Sequence, residues 1–178
     1  MPSSSPGLLI VIAAPSGSGK TTIAKAIMRR HPQMLFSVSA TTRAMRPGEV
    51  HGTDYFFLSM EEFKQRIAAG GLVEYEEIYG NLYGTLKSEI DRSLHAGRVM
   101  LFDVDVKGAL SIKRMYASYA LLVFIAPPSL EILQQRLENR KTEDAATVAR
   151  RMARVPMELE KGKEFDVRVV NDELERAI

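Results

Sequence analysis

An apolar run that ends in a glycine-rich segment is the feature that most limits how this chain can fold. Residues Leu8–Ile12 are continuously apolar and rich in β-branched side chains, which is typical of a strand buried on both faces of a parallel sheet. Apolar residues from Ile23 to Ile27 then recur at helical spacing and stop before Pro32. This order of strand, loop and helix predicts an α/β fold with the loop at the carboxyl end of a central strand.

The loop between this strand and this helix carries a phosphate-binding pattern. Its sequence matches G-x-x-x-x-G-K-[ST] except that Ala14 replaces the first glycine. In this pattern backbone N–H groups and the helix N-terminus face phosphate oxygens, and the lysine neutralises the β- and γ-phosphates. A strand-to-helix turn that binds nothing is the alternative. The residues predicted to bind ATP are Ala14, Pro15, Ser16, Gly17, Ser18, Gly19, Lys20, Thr21 and Thr22.

A second buried-strand pattern, Val99–Val104, ends in acidic residues. A neighbouring strand of such a fold commonly supplies a carboxylate to the Mg²⁺ shell, so Thr21 and Asp103 are the predicted metal ligands. Asp105 would lie on the same side if the strand extends that far. Either aspartate could instead be the N-cap of a helix that begins at Val106.

The rest of the chain alternates between strand and helix patterns. Residues 79–84 are predicted to form a turn, and Pro156 is predicted to interrupt the last long helix. Central-type strands separated by helices predict an α/β three-layer sandwich, with a parallel sheet flanked by helices, and residues 37–94 look like an inserted subdomain. The other predicted strands are Leu35–Ala40, Tyr55–Leu58, Leu72–Tyr75, Ala120–Ala126 and Phe165–Val170.

Composition excludes several classes of function. A formal net charge of +2 over 178 residues is too small to indicate a nucleic-acid surface. The absence of cysteine excludes disulfides and thiolate metal sites and fits the cytoplasm. The first apolar run is shorter than a membrane span and follows no Lys or Arg, so neither a signal peptide nor a membrane partner is expected. The oligomeric state stays open.

The predicted insert contains polar residues that suit a nucleoside monophosphate. Guanidinium and phenol groups can hold a phosphate dianion, and one carboxylate can accept from both N1–H and N2–H₂ of guanine. Two hydroxyls could serve the O6/N7 edge of the base. Taken singly, each residue could instead be a solvated loop charge, a packing ring or an exposed strand residue. The residues are Ser39, Arg43, Arg46, Tyr55, Glu74, Tyr83 and Thr85.

Several segments together resemble the guanylate kinase family, in the family's order and from about Leu9 to Ala177. They are Ala14–Thr21, Ser37–Arg43, Arg46–Val50, Gly52–Phe56, Gly80–Thr85, Asp103–Asp105 and Val169–Asp172. The resemblance implies a P-loop nucleoside monophosphate kinase fold. It also implies Mg²⁺-dependent transfer of the γ-phosphoryl group of ATP to GMP, with dGMP as a further acceptor.

The same resemblance implies a division of labour within one domain. The core would comprise residues 8–36, 97–126 and 156–178, with a GMP-binding insert at 37–96 and a helical lid at 127–155. Ser39, Glu74 and Thr85 would read guanine, with Asp105 as a further GMP-binding residue. The GMP phosphate would be held by Arg43, Arg46, Tyr55 and Tyr83.

Arginines of the lid would complete the site. The resemblance implies that Arg140 and Arg151 reach the transferring phosphoryl group and act in catalysis with Lys20 and Arg43. Arg136 would lie near adenine or the ATP phosphates, and Asn171 near adenine. Without the resemblance, the lid arginines could equally be a solvated helix face.

Two other functions fit parts of the sequence. A P-loop kinase with another small acceptor would share Lys20, but Glu74 and the hydroxyls near it favour guanine. A non-catalytic guanylate-kinase-like module that binds phosphorylated protein segments is expected to lose the P-loop lysine or the lid arginines. This chain retains Lys20, Arg140 and Arg151.

Overall fold

The computed structural model describes residues 7–78, 80–139 and 145–178. In these ranges the strands are β1 (Leu8–Ala13), β2 (Leu35–Phe36), β3 (Ala40–Thr41), β4 (Phe56–Phe57), β5 (Leu72–Ile78), β6 (Asn81–Leu86), β7 (Val99–Asp103), β8 (Ala120–Ala126) and β9 (Val167–Val170). The α-helices are α1 (Lys20–Arg30), α2 (Met60–Ala68), α3 (Lys87–His95), α4 (Val106–Tyr116), α5 (Leu130–Glu138), α6 (Ala145–Lys161) and α7 (Leu174–Ala177). Short 3₁₀ turns occur at Ala117–Tyr119 and Gly162–Glu164.

A parallel sheet of 5 strands, in the order β2-β7-β1-β8-β9, forms the centre of the core. Successive side chains of β1 point to opposite faces of this sheet. Leu9 and Val11 are buried with residues of α3 and α4, whereas Ile12 is buried with residues of α1 and α7. Because helices cover both faces, the predicted α/β three-layer sandwich is confirmed.

A second sheet of 4 strands, in the order β4-β3-β6-β5, is built by the segment between β2 and α3. Its own small core centres on Phe63 of α2, which is 0% exposed. Ser59 begins this helix through the predicted capping box with Glu62. The predicted strand Leu35–Ala40 is wrong as a single element, because Leu35–Phe36 pairs with β7 and Ala40 pairs with β6 of the other sheet.

Of the turn predicted for residues 79–84, residues 81–84 are in a strand, and Tyr79 lies outside the described residues. Asn81–Leu86 is strand β6, which pairs antiparallel with β5, and the sharp bend is at Gly80, where φ is 77°. Gly84 instead allows strands β5 and β6 to approach each other closely. A Cβ atom there would lie 2.7 Å from the carbonyl oxygen of Glu74 on the neighbouring strand.

The long helix α6 continues through Pro156, so the predicted interruption is wrong. The apolar face that carries Val155, which is 1% exposed, keeps the helix packed on the core. This packing outweighs the lost backbone hydrogen bond of the proline. No helix in the described ranges is both long and apolar enough to cross a membrane.

Candidate active site

The phosphate loop joins the carboxyl end of β1 to the N-terminus of α1. Gly17 and Gly19 have φ angles of 93° and 86°, which side-chain-bearing residues rarely adopt. A Cβ atom on Gly19 would lie 2.4 Å from Asn171 Nδ2, so close approach also requires glycine. The first turn of α1 has no acidic residue and no side-chain cap among the described residues. Its N–H groups can therefore face an anion.

Lys20 and Thr21 converge on the carboxylate of Asp103, the last residue of β7. Lys20 Nζ forms an ion pair with Asp103 and donates to the carbonyl oxygen of Val104 at 2.9 Å. Thr21 Oγ1 donates to Asp103 Oδ2 at 2.9 Å. The carboxyl ends of adjacent parallel strands bring these groups together, as expected for a phosphate loop and its metal-binding carboxylate. Thr22 is exposed in the same turn of α1.

The predicted metal ligands Thr21 and Asp103 fit Mg²⁺. They offer a hydroxyl and a carboxylate oxygen, which are ligands that this cation prefers. In the described parts of the chain no cluster of three or more acidic, His or Cys side chains could hold a metal alone. This agrees with the usual Mg²⁺ site of a nucleotide enzyme, in which one or two carboxylates act together with substrate phosphates.

Asp105 is the N-cap of α4. Its Oδ1 accepts from the backbone N–H of Gly108 at 2.8 Å, and β7 ends before it, at Asp103. The capping alternative therefore applies to Asp105 and not to Asp103. The cap still faces a cavity of about 280 Å³ that Glu74 also lines. Asp105 Oδ2 lies 3.8 Å from Arg154 of α6.

Glu74 and Thr85 face each other across the β5–β6 pair. Thr85 Oγ1 donates to Glu74 Oε1 at 2.7 Å. Burial raises the pKa of the Glu74 carboxyl, the hydrogen bond from Thr85 opposes this, and the negative charge of Asp105 adds to the increase. A partly desolvated carboxylate of this kind can bind a ligand that presents N–H donors.

The predicted phosphate-holding residues lie around one arginine. Arg43 has its guanidinium carbon 5.4 Å from the Tyr55 ring centroid, and the rings of Tyr55 and Tyr83 meet edge to face at 6.0 Å. Arg46 is exposed, and its described hydrogen bonds use only its backbone N–H and carbonyl groups, both with Glu49. Glu49, which sequence reasoning missed, also accepts hydrogen bonds from both terminal nitrogens of Arg43.

One cavity of about 690 Å³ joins the donor and acceptor groups. Thr21 of α1 and Asp103 of β7 line it on one side, and Ser39 and Tyr55, which precede β3 and β4, line it on the other. The structure thus brings both predicted metal ligands and two of the predicted acceptor-binding residues to the same space, whereas Glu74 and Asp105 line a separate cavity. A ligand in this cavity would contact both sets at once.

A second cavity, of about 560 Å³, lies between the phosphate loop and α6. Arg151 Nη1 donates to Ser16 Oγ, and Lys20 lines the same space. Sequence reasoning missed two further residues of its wall, Arg154 and Glu158. Burial raises the pKa of the Glu158 carboxyl, although the positive charge of Arg154 opposes the shift. Arg154 and Glu158 are an oppositely charged pair at i and i+4 on the helix that bears the predicted Arg151. This spacing is the signal that could have identified them.

Of the two residues assigned to the adenine side, Asn171 contacts the phosphate loop and Arg136 contacts Asn171. Asn171 Nδ2 donates to the carbonyl oxygen of Ser18 at 2.8 Å, and Arg136 Nη2 donates to the carbonyl oxygen of Asn171 at 3.1 Å. Ser18 itself is 0% exposed, and its N–H bonds to the carbonyl oxygen of Pro15. Arg140, the other predicted lid arginine, lies outside the described residues.

Comparison with known proteins agrees with this geometry. A family model described as guanylate kinase matches residues 7–178. The guanylate kinase of Salinibacter ruber is 53% identical over 171 residues, which cover 96% of this chain and 90% of that protein. The guanylate kinase of Chlorobaculum tepidum is 52% identical over 172 residues, which cover 97% and 88%.

Structural similarity leads to the same family. The crystal structure of guanylate kinase from Anaplasma phagocytophilum superposes with a TM-score of 0.70 at 29% identity. The match covers 96% of this chain and 80% of that one. With a site of this composition and a family match over nearly its whole length, the chain belongs to the guanylate kinase family.

Proposed function

We propose that this chain transfers the γ-phosphoryl group of ATP to GMP, and to dGMP as a further acceptor, and releases ADP and the nucleoside diphosphate. One observation carries the proposal. Thr21 and Asp103, on the donor side, line the same cavity as Ser39 and Tyr55, on the acceptor side. Family membership over residues 7–178 supports the same reaction.

On the donor side, the loop from Ala14 to Thr21 would bind the ATP phosphates through its backbone N–H groups and the N-terminus of α1. Lys20 carries three hydrogen-bond donors and contacts Asp103 and the carbonyl oxygen of Val104. Because Asp103 is the proposed Mg²⁺ ligand, the Lys20 ammonium would lie beside the ATP phosphates and neutralise their charge. Thr21 and Asp103 would hold Mg²⁺. When bound, the ion would offset charge on the ATP phosphates.

On the acceptor side, Glu74 would accept from N1–H and N2–H₂ of guanine, while Thr85 and Ser39 would serve the O6/N7 edge. The bond between Thr85 and Glu74 supports this assignment because it fixes the carboxylate at the cavity wall. Asp105 borders the same cavity. Adenine has no matching donor pair, so AMP would leave the partly buried Glu74 carboxylate without ligand donors.

In the reaction an oxygen of the GMP phosphate attacks the γ-phosphorus, and the bond from that phosphorus to the β–γ bridging oxygen breaks. The transition state of phosphoryl transfer is loose, so it needs charge stabilisation and in-line positioning more than a strong base. Arg151 would serve this role, and its position beside Lys20 in the same cavity and its contact with Ser16 support the assignment. Arg140 and Arg43 would contribute further positive charge.

The proposal includes three working parts: a core, a GMP-binding insert at 37–96 and a lid at 127–155 that closes to exclude water. Arg136 and Asn171 would support the ATP side, because Asn171 bonds to the phosphate loop and Arg136 bonds to Asn171. A cysteine-free composition supports a cytoplasmic location as part of the same proposal.

An ADP-release assay tests the reaction and its acceptor together. The protein is mixed with ATP·Mg²⁺ and, separately, with GMP, dGMP, AMP, CMP, UMP or dTMP. We expect rapid ADP release with the guanine nucleotides GMP and dGMP and little with the rest. Equal rates for all acceptors would exclude guanine recognition. Absence of turnover together with tight binding of a phosphorylated peptide would favour a non-catalytic module.

A further inference from the structure

Glu49 lies at the end of a tight turn in the loop that connects β3 to β4. The backbone N–H of Glu49 donates to the carbonyl oxygen of Arg46 at 3.1 Å, with Gly48 at a φ of 87° inside the turn. The Glu49 carboxylate folds back and accepts from the Arg46 N–H at 2.7 Å. The carboxylate is therefore tied to the backbone of its own loop.

The same carboxylate binds Arg43 in a two-pronged manner. Arg43 Nη2 donates to Glu49 Oε1 at 2.7 Å, and Nη1 donates to Oε2 at 3.1 Å. Only 15% of the Arg43 side chain and 20% of the Glu49 side chain are exposed. The hydrogen bonds to Glu49 raise the pKa of Arg43, and those from Arg43 lower the pKa of Glu49, so both groups are charged.

This pairing leaves one edge of the guanidinium for a ligand. Of its roughly five N–H donors, Nη1 also donates to the carbonyl oxygen of Ala44 at 2.7 Å, so the described bonds use three. Among these described bonds the N–H at Nε and one at Nη2 are left, and the Tyr83 hydroxyl, another predicted phosphate-holding group, also interacts with this guanidinium. The face of the group lies 5.4 Å from the Tyr55 ring centroid and 5.6 Å from that of Phe57.

Two roles for Glu49 can be distinguished. As a competitor, the carboxylate would occupy the arginine until a phosphate displaces it. As a positioning group, it would stay in place and fix the donors that the phosphate uses. The second role suits the geometry better, because Glu49 is also held by Arg46 and because it takes only one side of a guanidinium whose face is already set by two rings.

We propose that Glu49 is a positioning residue for the acceptor phosphate, acting through Arg43. This inference rests on the proposed function, since it names the residue that orients the phosphate-binding arginine of the GMP site. The nucleoside part of the acceptor contacts other residues. Loss of the Glu49 carboxylate should therefore weaken binding of a nucleotide and leave binding of the nucleoside unchanged.

The test compares Glu49→Gln with a matched control, Glu61→Gln, which changes an exposed acid in the first turn of α2. We expect Glu49→Gln to raise the KM for GMP about tenfold and to lower kcat by less than that, because Arg43 also contributes charge in the reaction, with the KM for ATP within about twofold of wild type. Calorimetry should show weaker GMP binding and an unchanged Kd for guanosine. The control should match wild type, and Glu49→Asp should be intermediate.

Other results would overturn the proposal. Tighter GMP binding by Glu49→Gln would show that Glu49 competes with the phosphate, and an equal loss for GMP and guanosine would show a general structural role. If Glu49→Gln does not fold, Glu49→Asp is compared with Arg43→Lys and with the double variant. Additive effects would mean that Glu49 does not act through Arg43. Failure of wild-type protein to form GDP would refute the proposed function instead.

Discussion

The donor and acceptor halves of this site hold their charged groups in different ways. Lys20, Thr21 and Asp103 project from the carboxyl ends of central strands and from the first turn of a core helix. Arg43 and Glu49 instead sit in the loop between β3 and β4, where side chains hold one another in place. The donor half therefore depends on the sheet, and the acceptor half depends on individual side-chain pairs. Substitutions in the two halves should have different kinetic consequences.

The largest effect is expected for Lys20→Ala, on the donor side. Loss of the ammonium should lower kcat more than about 1,000-fold, because it removes charge that stabilises the transferring phosphoryl group. The Kd for GMP should stay within about threefold, since the acceptor residues are on the other wall of the cavity. Steady-state kinetics and calorimetry measure the two quantities. A kcat near that of wild type would remove the donor assignment.

Arg151→Ala should have the next largest effect. Its contact with Ser16 brings α6 to the phosphate loop, so we expect kcat to fall about 100- to 1,000-fold with a much smaller change in the KM for GMP. The neighbouring Arg150→Ala is the comparison, because Arg150 is exposed and bonds to Thr147 on its own helix. Equal losses in the two variants would indicate a general field of positive charge.

Glu74→Gln tests the acceptor half through specificity. An amide keeps one acceptor and adds a donor, so it repels one of the two guanine donors. We expect kcat/KM for GMP to fall, with a loss of about 2–3 kcal/mol in transition-state stabilisation. The ratio of GMP to AMP activity should shrink as well. Glu77→Gln, an exposed acid on the same strand, is the control. An unchanged ratio would mean that Glu74 does not read the base.

The donor half was easier to predict from the sequence than the acceptor half. The run Leu8–Ile12 and the loop after it are local patterns, and adjacent parallel strands must place Asp103 beside Thr21. In the acceptor half the two glycines of segment 79–84 look alike in sequence. Only one of them turns the chain, at Gly80, whereas Gly84 lets strands β5 and β6 approach closely.

Residues whose partners lie in irregular loops could not be found from periodicity. Glu49 pairs with Arg43 across a turn in a loop. Neither the two-residue repeat of a strand nor the 3.6-residue repeat of a helix applies there. Tertiary contacts also explain why Pro156 does not end its helix. It lies inside an intact α6 because this helix packs on the core. Sequence reasoning therefore identified the kinds of chemical group at the site better than the contacts that hold them.

The smallest expected effect is on the pH dependence of the stability of Glu74→Gln. Because this measurement needs no ligand, it distinguishes the role of Glu74 in folding from its role in binding. Burial raises the pKa of Glu74 above its value in the unfolded chain, so the folded state binds the proton more tightly. Its contribution to stability is thus greatest below the unfolded pKa and is lost as pH rises through the folded pKa.

Wild type and Glu74→Gln should consequently have similar Tm values near pH 4, where the acid is largely neutral, while the variant should melt higher at pH 7. The amide oxygen can still accept from Thr85, so the buried charge is what changes. Thermal melts at the two pH values, with Glu77→Gln alongside, measure the difference. A variant that melts lower at pH 7 would mean that the fold itself stabilises the Glu74 carboxylate, which would contradict the pKa increase attributed to burial.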